Sequence, residues 1–599
     1  MLSEEEYTKK LCVIESELKN LEEEQCKIMN KIKILKGAKE ELQQERKKAR
    51  IKNRPEATQW IEKKFSWSDR VDELLKEKFK FKNFRSRQLA AINATLSGKD
   101  VLLVMPTGGG KSLVYQLPAL IYKKITLVVS PLISLIEDQL IALRKLGIVA
   151  ATVNSNSSKD EKKTVYADMA SKKLNVVYVT PEWVANSKIF MTYLQKCYSQ
   201  GYLDRIVIDE VHCCSTWGHD FRPEYNHLGF FKSMFPDIPI LGLTATATMN
   251  VLVDIQDMLS IKDALIITAP FNRPNLFYQV VHKPPDKDDC LQYLENLLKK
   301  KYCGKSGIIY AGTIKECDEL TEGLRARQLK VKQYHAQMEG DAKKIIHQKW
   351  LENKYQAVVA TIAFGMGIDK PDVRFVIHYS VPKSMEGFYQ ESGRAGRDGE
   401  KADCILMFAL SDFLRNMSMS SSKTETKNAV SILEYCSDRS QCRRTIIAHH
   451  FEDPWKQSDC NEMCDFCINP PKLVTYNIYN CLKDIYSIID LSVTKDINLT
   501  LKKLMASWFQ KGSKDIRITS IKRPLFSEEQ GQHIIGVLIQ KELLKINKGY
   551  TGYTTLAYIG RGLKDIPADK ILMHYPSDLK GVELLESKEN SSCKKRKLS

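Results

Sequence analysis

Residues 100–120 read DVLLVMPTGGGKSLVYQLPAL: an apolar run, then a glycine-rich turn, then an amphipathic segment. This order predicts a buried β-strand that passes through a tight turn into a helix. The turn would direct backbone N–H groups and a helix N-terminus at phosphate, with Lys111 as a charge for the β- and γ-phosphates and Ser112 as a Mg²⁺ ligand. Met105 stands where the strict pattern has its first glycine, so a glycine turn without a ligand is the alternative. The predicted nucleotide contacts are Thr107, Gly108, Gly109, Gly110, Lys111 and Ser112.

The alternation of apolar runs with amphipathic stretches continues on both sides of this segment. The runs DVLLVMP, ITLVVSP, NVVYVTP, RIVIDE and IPILGLTAT are followed by SGIIYAG, KVKQYHA, YQAVVAT, VRFVIHYS and ADCILMFAL. Near-continuous apolar runs are typical of strands buried on both faces of a parallel sheet. The pattern therefore predicts two doubly wound α/β domains, at residues 60–270 and 271–420. The stretch SMSSSKTETKN, residues 418–428, predicts a polar linker after them.

The segment DEVHCCSTWGHD, residues 209–220, follows the apolar run RIVI. A carboxylate at the end of a parallel strand beside a phosphate loop can hold Mg²⁺, which is the role predicted for Asp209. The adjacent Glu210 can orient the attacking water. The histidines and cysteines of the segment offer a metal site as the alternative, but Cys213 and Cys214 lack the usual ligand spacing.

A second cluster of cysteines has the spacing of metal ligands. Cys442, Cys460, Cys464 and Cys467 read C-x17-C-x3-C-x2-C. Four thiolates fit a closed tetrahedral Zn²⁺ site with a structural role. The alternative ligands are Cys436, His449 and His450, and a core of free thiols is the alternative to any metal.

The first 52 residues form a separate block. Their apolar positions follow a 3-4 spacing filled with Glu and Lys, which predicts a coiled coil over residues 1–52. We expect pairing between chains rather than folding back, and hence a homo-oligomer. The seam consists of Leu11, Ile14, Leu18, Leu21, Gln25, Ile28, Ile32, Leu35 and Leu42.

Composition narrows the class of protein. The 599 residues carry 91 Lys and Arg against 73 Asp and Glu, a net charge of +18, which favours a polyanionic partner such as nucleic acid over a merely basic protein. No apolar run is long enough for a membrane helix, and the start is too rich in Glu and Lys for a secretory signal, so no membrane association is expected. Residues 566–599 predict a disordered basic tail. Its run Lys594–Lys597 indicates a nuclear signal or a solvated tail, and we expect a nuclear location.

Several motifs stand in the order found in RecQ-type helicases of superfamily 2. They are FRSRQ, MPTGGGKS, SPLISLIEDQ, DEVHCCSTWGHDFRP, GLTATAT, FNRPNL, ATIAFGMGIDKPDVRFVIH and YQESGRAGRDG. The chain is most similar to the short eukaryotic members. The resemblance implies two RecA-like lobes, a helical zinc-binding subdomain at 421–470 and a winged-helix domain at 471–565. It also implies an ATP- and Mg²⁺-dependent helicase that moves 3′ to 5′ on single-stranded DNA and unwinds forked duplexes, in repair, replication or recombination.

The resemblance assigns further residues to the nucleotide. Phe81, Arg85 and Gln88 are placed where the family recognises adenine, although Ser86 stands where proline is usual. Arg394 and Arg397 resemble the arginines that reach the γ-phosphate from the second lobe, with Arg397 as the finger and Arg394 as its support. Gly367 and Asp369 resemble residues that link nucleotide and DNA between the lobes.

The same resemblance indicates two DNA contacts. Trp217, Phe221 and Arg222 resemble an aromatic-rich loop that can stack on single-stranded DNA, with core packing of Trp217 as the alternative. The stretch KINKGYTGYTTLAYI, residues 545–559, would be the wing hairpin. Tyr550 and Tyr553 near its tip could act as a wedge at a fork, with ordinary wing packing as the alternative.

Two other functions compete with unwinding. A DNA-stimulated ATPase that anneals or remodels strands would use the same motifs. A zinc-stabilised DNA-binding adaptor with a dead ATPase is disfavoured because Lys111, Asp209, Glu210 and Arg397 are all intact.

Overall fold

A long helix opens the chain. The computed structural model describes residues 4–52, 59–215, 222–365, 368, 370–551, 554–562 and 566–585. Helix α1 (Glu4–Lys52) has 49 residues and is therefore about 74 Å long. Its described apolar seam residues, from Leu11 to Leu42, are exposed. Nowhere in the described ranges is a helix both long and apolar enough to cross a membrane.

The first lobe is a parallel sheet covered by helices on both faces. Its seven strands are β1 (Val101–Val104), β2 (Ile125–Val129), β3 (Ala150–Thr152), β4 (Val176–Val179), β5 (Leu203–Ile208), β6 (Ile240–Thr244) and β7 (Leu265–Thr268), in the order β3-β4-β2-β5-β6-β1-β7. Its helices are α2 (Gln59–Glu62), α3 (Ser68–Glu77), α4 (Gln88–Leu96), α5 (Leu113–Gln116), α6 (Ile133–Lys145), α7 (Lys159–Ala170), α8 (Pro181–Asn186), α9 (Lys188–Ser199), α10 (Phe230–Met234) and α11 (Met249–Met258). The five predicted strands are confirmed; β3 and β7, on the two edges, were not predicted.

The second lobe repeats this architecture with a six-stranded parallel sheet. Its strands are β8 (Leu276–His282), β9 (Ser306–Tyr310), β10 (Val331–Tyr334), β11 (Ala357–Ala360), β12 (Val373–His378) and β13 (Ala402–Phe408), in the order β10-β11-β9-β12-β13-β8. Its helices are α12 (Lys287–Asn296), α13 (Ile314–Ala326), α14 (Gly340–Leu351), α15 (Met385–Ser392) and α16 (Leu410–Met419). The prediction of two doubly wound α/β domains is thus confirmed. Edge strand β8 was not predicted.

The polar linker predicted at 418–428 is wrong for most of its length. Helix α16 runs to Met419, and α17 (Lys423–Ser437) begins after three residues. The Ser422 hydroxyl accepts a hydrogen bond from the Glu425 backbone N–H at 3.1 Å and so caps α17. Capping residues are polar, which is why a helix start resembled a loop in the sequence.

The C-terminal part combines helices with two small antiparallel sheets. Its helices are α18 (Arg443–His450), α19 (Asp465–Ile468), α20 (Tyr479–Thr494), α21 (Leu501–Trp508) and α22 (Glu528–Gln540). Its strands are β14 (Leu473–Asn477), β15 (Leu544–Thr551), β16 (Thr554–Arg561), β17 (Leu572–Pro576) and β18 (Glu583–Leu585). Strand β14 lies between β17 and β18, while β15 and β16 form a separate hairpin.

The disordered tail predicted from residue 566 is wrong for residues 566–585. Strand β17 pairs with β14, and Met573 and Tyr575 on β17 are buried in the same core as α20 and α22. Residues 586–599, including the basic run, lie outside the described residues. Helix α16 of the second lobe also packs into this core through Phe413 and Met417, which ties the C-terminal part to that lobe.

Candidate functional site

The glycine-rich turn between β1 and α5 has the close packing that a phosphate loop needs. Gly108 and Gly110 have positive φ angles of 77° and 86°. A Cβ on Gly110 would lie 2.5 Å from the Gln88 amide nitrogen, and one on Gly108 would lie 3.1 Å from the Arg397 side chain. Both positions therefore require glycine. The Lys111 ammonium donates to the Met105 carbonyl at 3.1 Å and so lies within the turn.

Gln88 and Arg85 brace the turn from the start of α4. The Gln88 amide donates to the Gly110 carbonyl at 2.9 Å, and its oxygen accepts from the Arg85 backbone N–H at 2.7 Å. The Arg85 guanidinium donates to the Gly108 carbonyl. Phe81, half exposed, lines the same cleft. The predicted adenine contacts thus lie beside the phosphate loop, and Gln88 also supports the loop itself.

Two partly buried carboxylates, Asp209 and Glu210, face the loop from the end of β5. The Asp209 carboxylate accepts the Glu210 backbone N–H at 3.0 Å. Burial, and then the Glu210 carboxylate, raise the pKa of Asp209 to about 7. Burial lowers the pKa of Lys111, although Glu210 and Asp209 oppose this shift. The two carboxylates thus lie close together in a desolvated place, where a bound divalent cation would stabilise their charged forms. Hard oxygen donors from Ser112 and Asp209 fit Mg²⁺.

His212 is not placed as a metal ligand. Its Nδ1 shares a hydrogen bond with the Thr244 hydroxyl at 2.9 Å and lies 3.4 Å from the Glu210 carboxylate. Thr244 ends β6, beside β5 in the sheet. His212 therefore connects the Glu210 carboxylate to the neighbouring strand. Among the described residues, the four cysteines after residue 440 are the one group of three or more His, Cys, Asp or Glu side chains whose ligand atoms lie close enough together to share a metal ion.

Arginines of the second lobe complete the cleft. Arg394 is buried, and both Arg394 and Arg397 line a cavity of about 420 Å³ together with the first-lobe residues. That volume is within the usual range of small-molecule sites, roughly 300–1,000 Å³. The predicted residues that share this cavity are Phe81, Arg85, Gln88, Thr107, Gly108, Gly110, Lys111, Ser112, Asp209, Glu210, Arg394 and Arg397. The Gly109 carbonyl accepts a hydrogen bond from the Gln88 amide at 3.3 Å. Gly367 and Asp369 lie outside the described residues.

Sequence reasoning missed other residues of the cleft. These are Asn83, Leu113, Leu135, Gln139, Ile368, Pro371 and Gln390. Leu135 and Gln139 belong to SPLISLIEDQ, and Gln390 belongs to YQESGRAGRDG. Their position in these motifs could have marked them as candidates, but a motif does not show which of its side chains face the nucleotide.

The four predicted zinc ligands form one cluster. Their sulfur atoms all lie within 4.8 Å of one another, and Cys442 Sγ and Cys460 Sγ are each 3.7 Å from Cys464 Sγ. A tetrahedron with Zn–S bonds of about 2.3 Å has edges of about 3.8 Å, so the cluster fits Zn²⁺. The alternative ligands Cys436, His449 and His450 are not part of this cluster. His450 instead pairs with Glu386 at 2.8 Å.

The zinc cluster is attached to the edge of the second lobe. Tyr278 of β8 donates its backbone N–H to the Met463 carbonyl at 3.2 Å. The Asp465 carboxylate accepts the Val280 backbone N–H at 3.0 Å and pairs with Arg443 at 2.9 Å. The cluster therefore fixes α18 and α19 against the otherwise open edge of β8.

We predict that the purified chain carries about one zinc ion and that Cys464→Ser loses it. Because a structural metal contributes folding free energy directly, the variant should melt roughly 10 °C lower and expose residues after 420 to protease. The matched control is Cys303→Ser, which changes an exposed free cysteine. The zinc content and the melting temperature are measured for wild type, Cys464→Ser and Cys303→Ser. A zinc-free wild type, or a Cys464→Ser protein as stable as the control, would contradict the assignment.

The predicted DNA contacts are only partly described. Trp217, Phe221 and Tyr553 lie outside the described residues. Arg222 donates to the Pro131 carbonyl at 3.2 Å and so connects the end of this loop to the start of α6. Tyr550 is 83% exposed on the hairpin. The Tyr558 ring lies so close to Gly549 that a Cβ there would approach it to 2.1 Å.

Two parallel-sheet lobes share one cleft, which is lined by the phosphate loop, the two carboxylates and the two arginines. This arrangement defines a helicase-type nucleoside triphosphatase. Three protein-family models match successive parts of the chain. They are DEAD/DEAH box helicase over residues 85–255, helicase conserved C-terminal domain over 289–399, and RecQ zinc-binding over 407–468. The chain belongs to the RecQ family of ATP-dependent DNA helicases, as its motifs indicated.

Curated relatives support this membership. The chain is 45% identical over 508 residues to ATP-dependent DNA helicase Q1 of Pongo abelii, covering 84% of this chain and 78% of that protein. It is 45% identical over 506 residues to the Rattus norvegicus protein of the same name, covering 84% and 82%. Among solved structures, Mycobacterium smegmatis helicase Lhr bound to ssDNA and AMP-PNP is similar with a TM-score of 0.45 and 17% identity, covering 81% of this chain and 59% of that one.

Proposed function

We propose that the chain couples Mg²⁺-dependent ATP hydrolysis to 3′-to-5′ movement on single-stranded DNA and unwinds duplexes at forks. The observation that carries this proposal is the shared cleft: Lys111 and Glu210 come from one lobe, and Arg394 and Arg397 come from the other. A nucleotide held by both lobes favours their closed arrangement, and its hydrolysis removes that preference. Repeated closing and opening would advance a strand bound across the two lobes.

The chemistry follows from the positions of the side chains. Lys111 and the backbone of the glycine turn bind the phosphates, and Mg²⁺ held by Ser112 and Asp209 would neutralise their charge. Glu210 accepts a proton from, and orients, the attacking water. Arg397, supported by Arg394, stabilises charge that develops on the γ-phosphate. Such an arginine is worth about 10³–10⁵ in rate in other phosphoryl-transfer systems.

The hairpin β15–β16 is the proposed fork wedge of a winged-helix domain formed by α20–α22. It is supported from the second lobe, because the Lys548 ammonium donates to the Ser420 hydroxyl at 2.9 Å, just after α16. Tyr550 extends into solvent beyond this attachment. A hairpin fixed to the moving lobe would press its tip into the junction as the lobe advances. The exposed aromatic ring could then replace a stacking partner of the last base pair.

We predict that Tyr553→Ala loses most duplex unwinding and keeps most DNA-stimulated ATPase, with Tyr550→Ala milder. Losing an aromatic stacking platform costs about 1–3 kcal/mol per base, whereas hydrolysis on single strands opens no duplex. Tyr479→Ala on α20 is the control, since it removes another exposed tyrosine of the same domain. Both rates are measured on one preparation. Equal loss of both activities would mean that the tyrosine supports the fold or DNA docking, and loss of neither would move the wedge elsewhere, with Tyr558 as the next candidate.

Direction of movement is tested with forked, 3′-tailed and 5′-tailed duplexes, with and without ATP. The proposal expects ATP-dependent unwinding of the forked and 3′-tailed substrates and little of the 5′-tailed one. Equal unwinding from both tails would contradict the polarity. Strand annealing without unwinding on any substrate would instead favour the remodelling ATPase.

We also propose that α1 pairs with α1 of other copies as a coiled coil. Its described seam residues from Leu11 to Leu42 are exposed, so a single chain leaves this apolar stripe in water. Comparing the mass in solution of the full chain and of a chain without residues 1–52 tests this: an unchanged mass would contradict it. A nuclear location and a role in repair, replication or recombination are further proposals; the nuclear one is supported by the run Lys594–Lys597.

A further inference from the structure

Arg273 connects the two lobes behind the nucleotide cleft. It lies in FNRPNL, the segment that leads from the first lobe into β8. Its Nη1 donates to the Thr107 carbonyl at 2.8 Å and to the Gly393 carbonyl at 3.2 Å. Its Nη2 donates to the Ala395 carbonyl at 3.1 Å and to the Gly396 carbonyl at 2.9 Å. One guanidinium thus binds the phosphate loop of one lobe and the arginine-bearing turn of the other.

The carbonyls that Arg273 binds are interleaved with the two cleft arginines. Gly393 precedes Arg394, and Gly396 precedes Arg397 in the chain. Asn275 adds a hydrogen bond from its amide to the Gly396 carbonyl at 2.8 Å. Gly396 has a φ of 54°, and a Cβ there would lie 2.4 Å from this amide. The path of the turn, and with it the direction of Arg394 and Arg397, therefore depends on the segment that carries Arg273.

That segment is itself held from the zinc side. Arg444, two residues after the zinc ligand Cys442, donates to the Arg273 carbonyl at 3.0 Å. The Asp453 carboxylate accepts the Phe271 backbone N–H at 3.0 Å, and the Phe271 and Phe451 rings stack with centroids 4.4 Å apart. The backbone of Arg273 is thus fixed by neighbours outside both sheets. This arrangement suits a rigid support rather than a mobile tether.

We propose that Arg273 is a positioning residue for ATP hydrolysis, holding the phosphate loop and the 393–397 turn at the separation at which Arg394 and Arg397 reach the γ-phosphate. Arg273 is not among the described residues that line the cleft, so it acts through the turn and not on the nucleotide. Its guanidinium fork is suited to this task because four N–H groups in a plane can serve carbonyls on two loops at once. The inference rests on the proposed hydrolysis of ATP.

The test compares wild type, Arg273→Ala and Arg273→Lys, with Arg327→Ala as the control. Arg327 is also a multiply bonded arginine of the second lobe: it pairs with Glu295 at 3.3 Å and donates to the Gly323 carbonyl at 3.2 Å, on α12 and α13. The measured quantities are kcat and KM for ATP with saturating single-stranded DNA, the affinity for a fluorescent ATP analogue, and thermal melting. Each ATPase assay is repeated with millimolar guanidinium.

For Arg273→Ala we expect kcat to fall roughly 10²-fold, because small misplacement of catalytic groups costs about that much, while analogue affinity changes little. Arg273→Lys should remain nearly as slow, because an ammonium keeps the charge but lacks the fork. Added guanidinium should raise kcat of the alanine variant and not of the control, which should stay within twofold of wild type. If the alanine variant does not fold, the lysine variant decides by the same kcat comparison.

Two results would overturn the inference: a folded Arg273 variant with kcat within threefold of wild type, or a loss of kcat matched by equal losses of analogue affinity and melting temperature. The failure of the proposed function would look different, because wild type itself would then hydrolyse no ATP.

Discussion

Lys111→Ala is expected to lower DNA-stimulated ATP hydrolysis by at least roughly 10²–10³-fold and to abolish unwinding. The ammonium lies in the phosphate loop, where burial lowers its pKa and the Glu210 and Asp209 carboxylates favour its charged form. Without it, the β- and γ-phosphates meet two carboxylates with no opposing side-chain charge from this loop. DNA binding should persist, because the net charge of +18 supplies that affinity independently.

The measurement for Lys111→Ala is steady-state ATPase beside DNA affinity at one salt concentration. Lys99→Ala is the matched control: it removes an exposed lysine that precedes β1 at the opposite end of the strand. ATPase activity at the wild-type level in Lys111→Ala would contradict the assignment of this turn as the nucleotide-binding site. A parallel loss in the control would show that general charge, and not the loop, matters.

Glu210→Gln is expected to bind ATP normally and to hydrolyse it roughly 10²–10⁴-fold more slowly. Glutamine keeps the shape of the side chain but is too weak a base to take the proton of the attacking water. It also removes the second cause of the raised Asp209 pKa, so phosphate and cation binding should be retained. The control is Glu182→Gln, an exposed carboxylate on α8 of the same lobe.

Single-turnover hydrolysis and analogue affinity together test the role of Glu210. Normal turnover in Glu210→Gln would mean that another residue orients the water. Weakened binding with unchanged chemistry would make Glu210 a binding group instead of a base.

What the sequence could reveal of the fold depended on burial. Strands buried on both faces, such as β1 and β5, read as continuous apolar runs and were predicted. Strands β3, β7 and β8 lie at sheet edges and are only partly buried, so their runs are short or interrupted. Edge strand β10 is also partly buried but was predicted from its run KVKQYHA. The strands after residue 566 were missed because β17 has its partner β14 about a hundred residues earlier, beyond the reach of local patterns.

The parts of the candidate site whose residues lie close together in the sequence could be predicted from it. The glycine turn, the paired carboxylates and the cysteine spacing each name their residues within one short stretch. The role of Arg273 could not be predicted in this way. Its hydrogen bond to Thr107 joins residues 166 positions apart, and it goes to a backbone carbonyl, which every residue has, so the sequence does not show which residue accepts it. Only the folded arrangement of both lobes shows that an arginine in the connecting segment supports the cleft.

In the proposed mechanism, ATP hydrolysis in the cleft between the lobes drives strand separation. The most direct measurement follows separation of a 3′-tailed fork and ATP hydrolysis in the same reaction, for wild type and Glu210→Gln, with Mg²⁺ and either ATP or a non-hydrolysable analogue. We expect wild type to separate strands with ATP and not with the analogue, and Glu210→Gln to bind the fork but leave it closed. Strand separation by wild type with the analogue, or by Glu210→Gln without turnover, would contradict it.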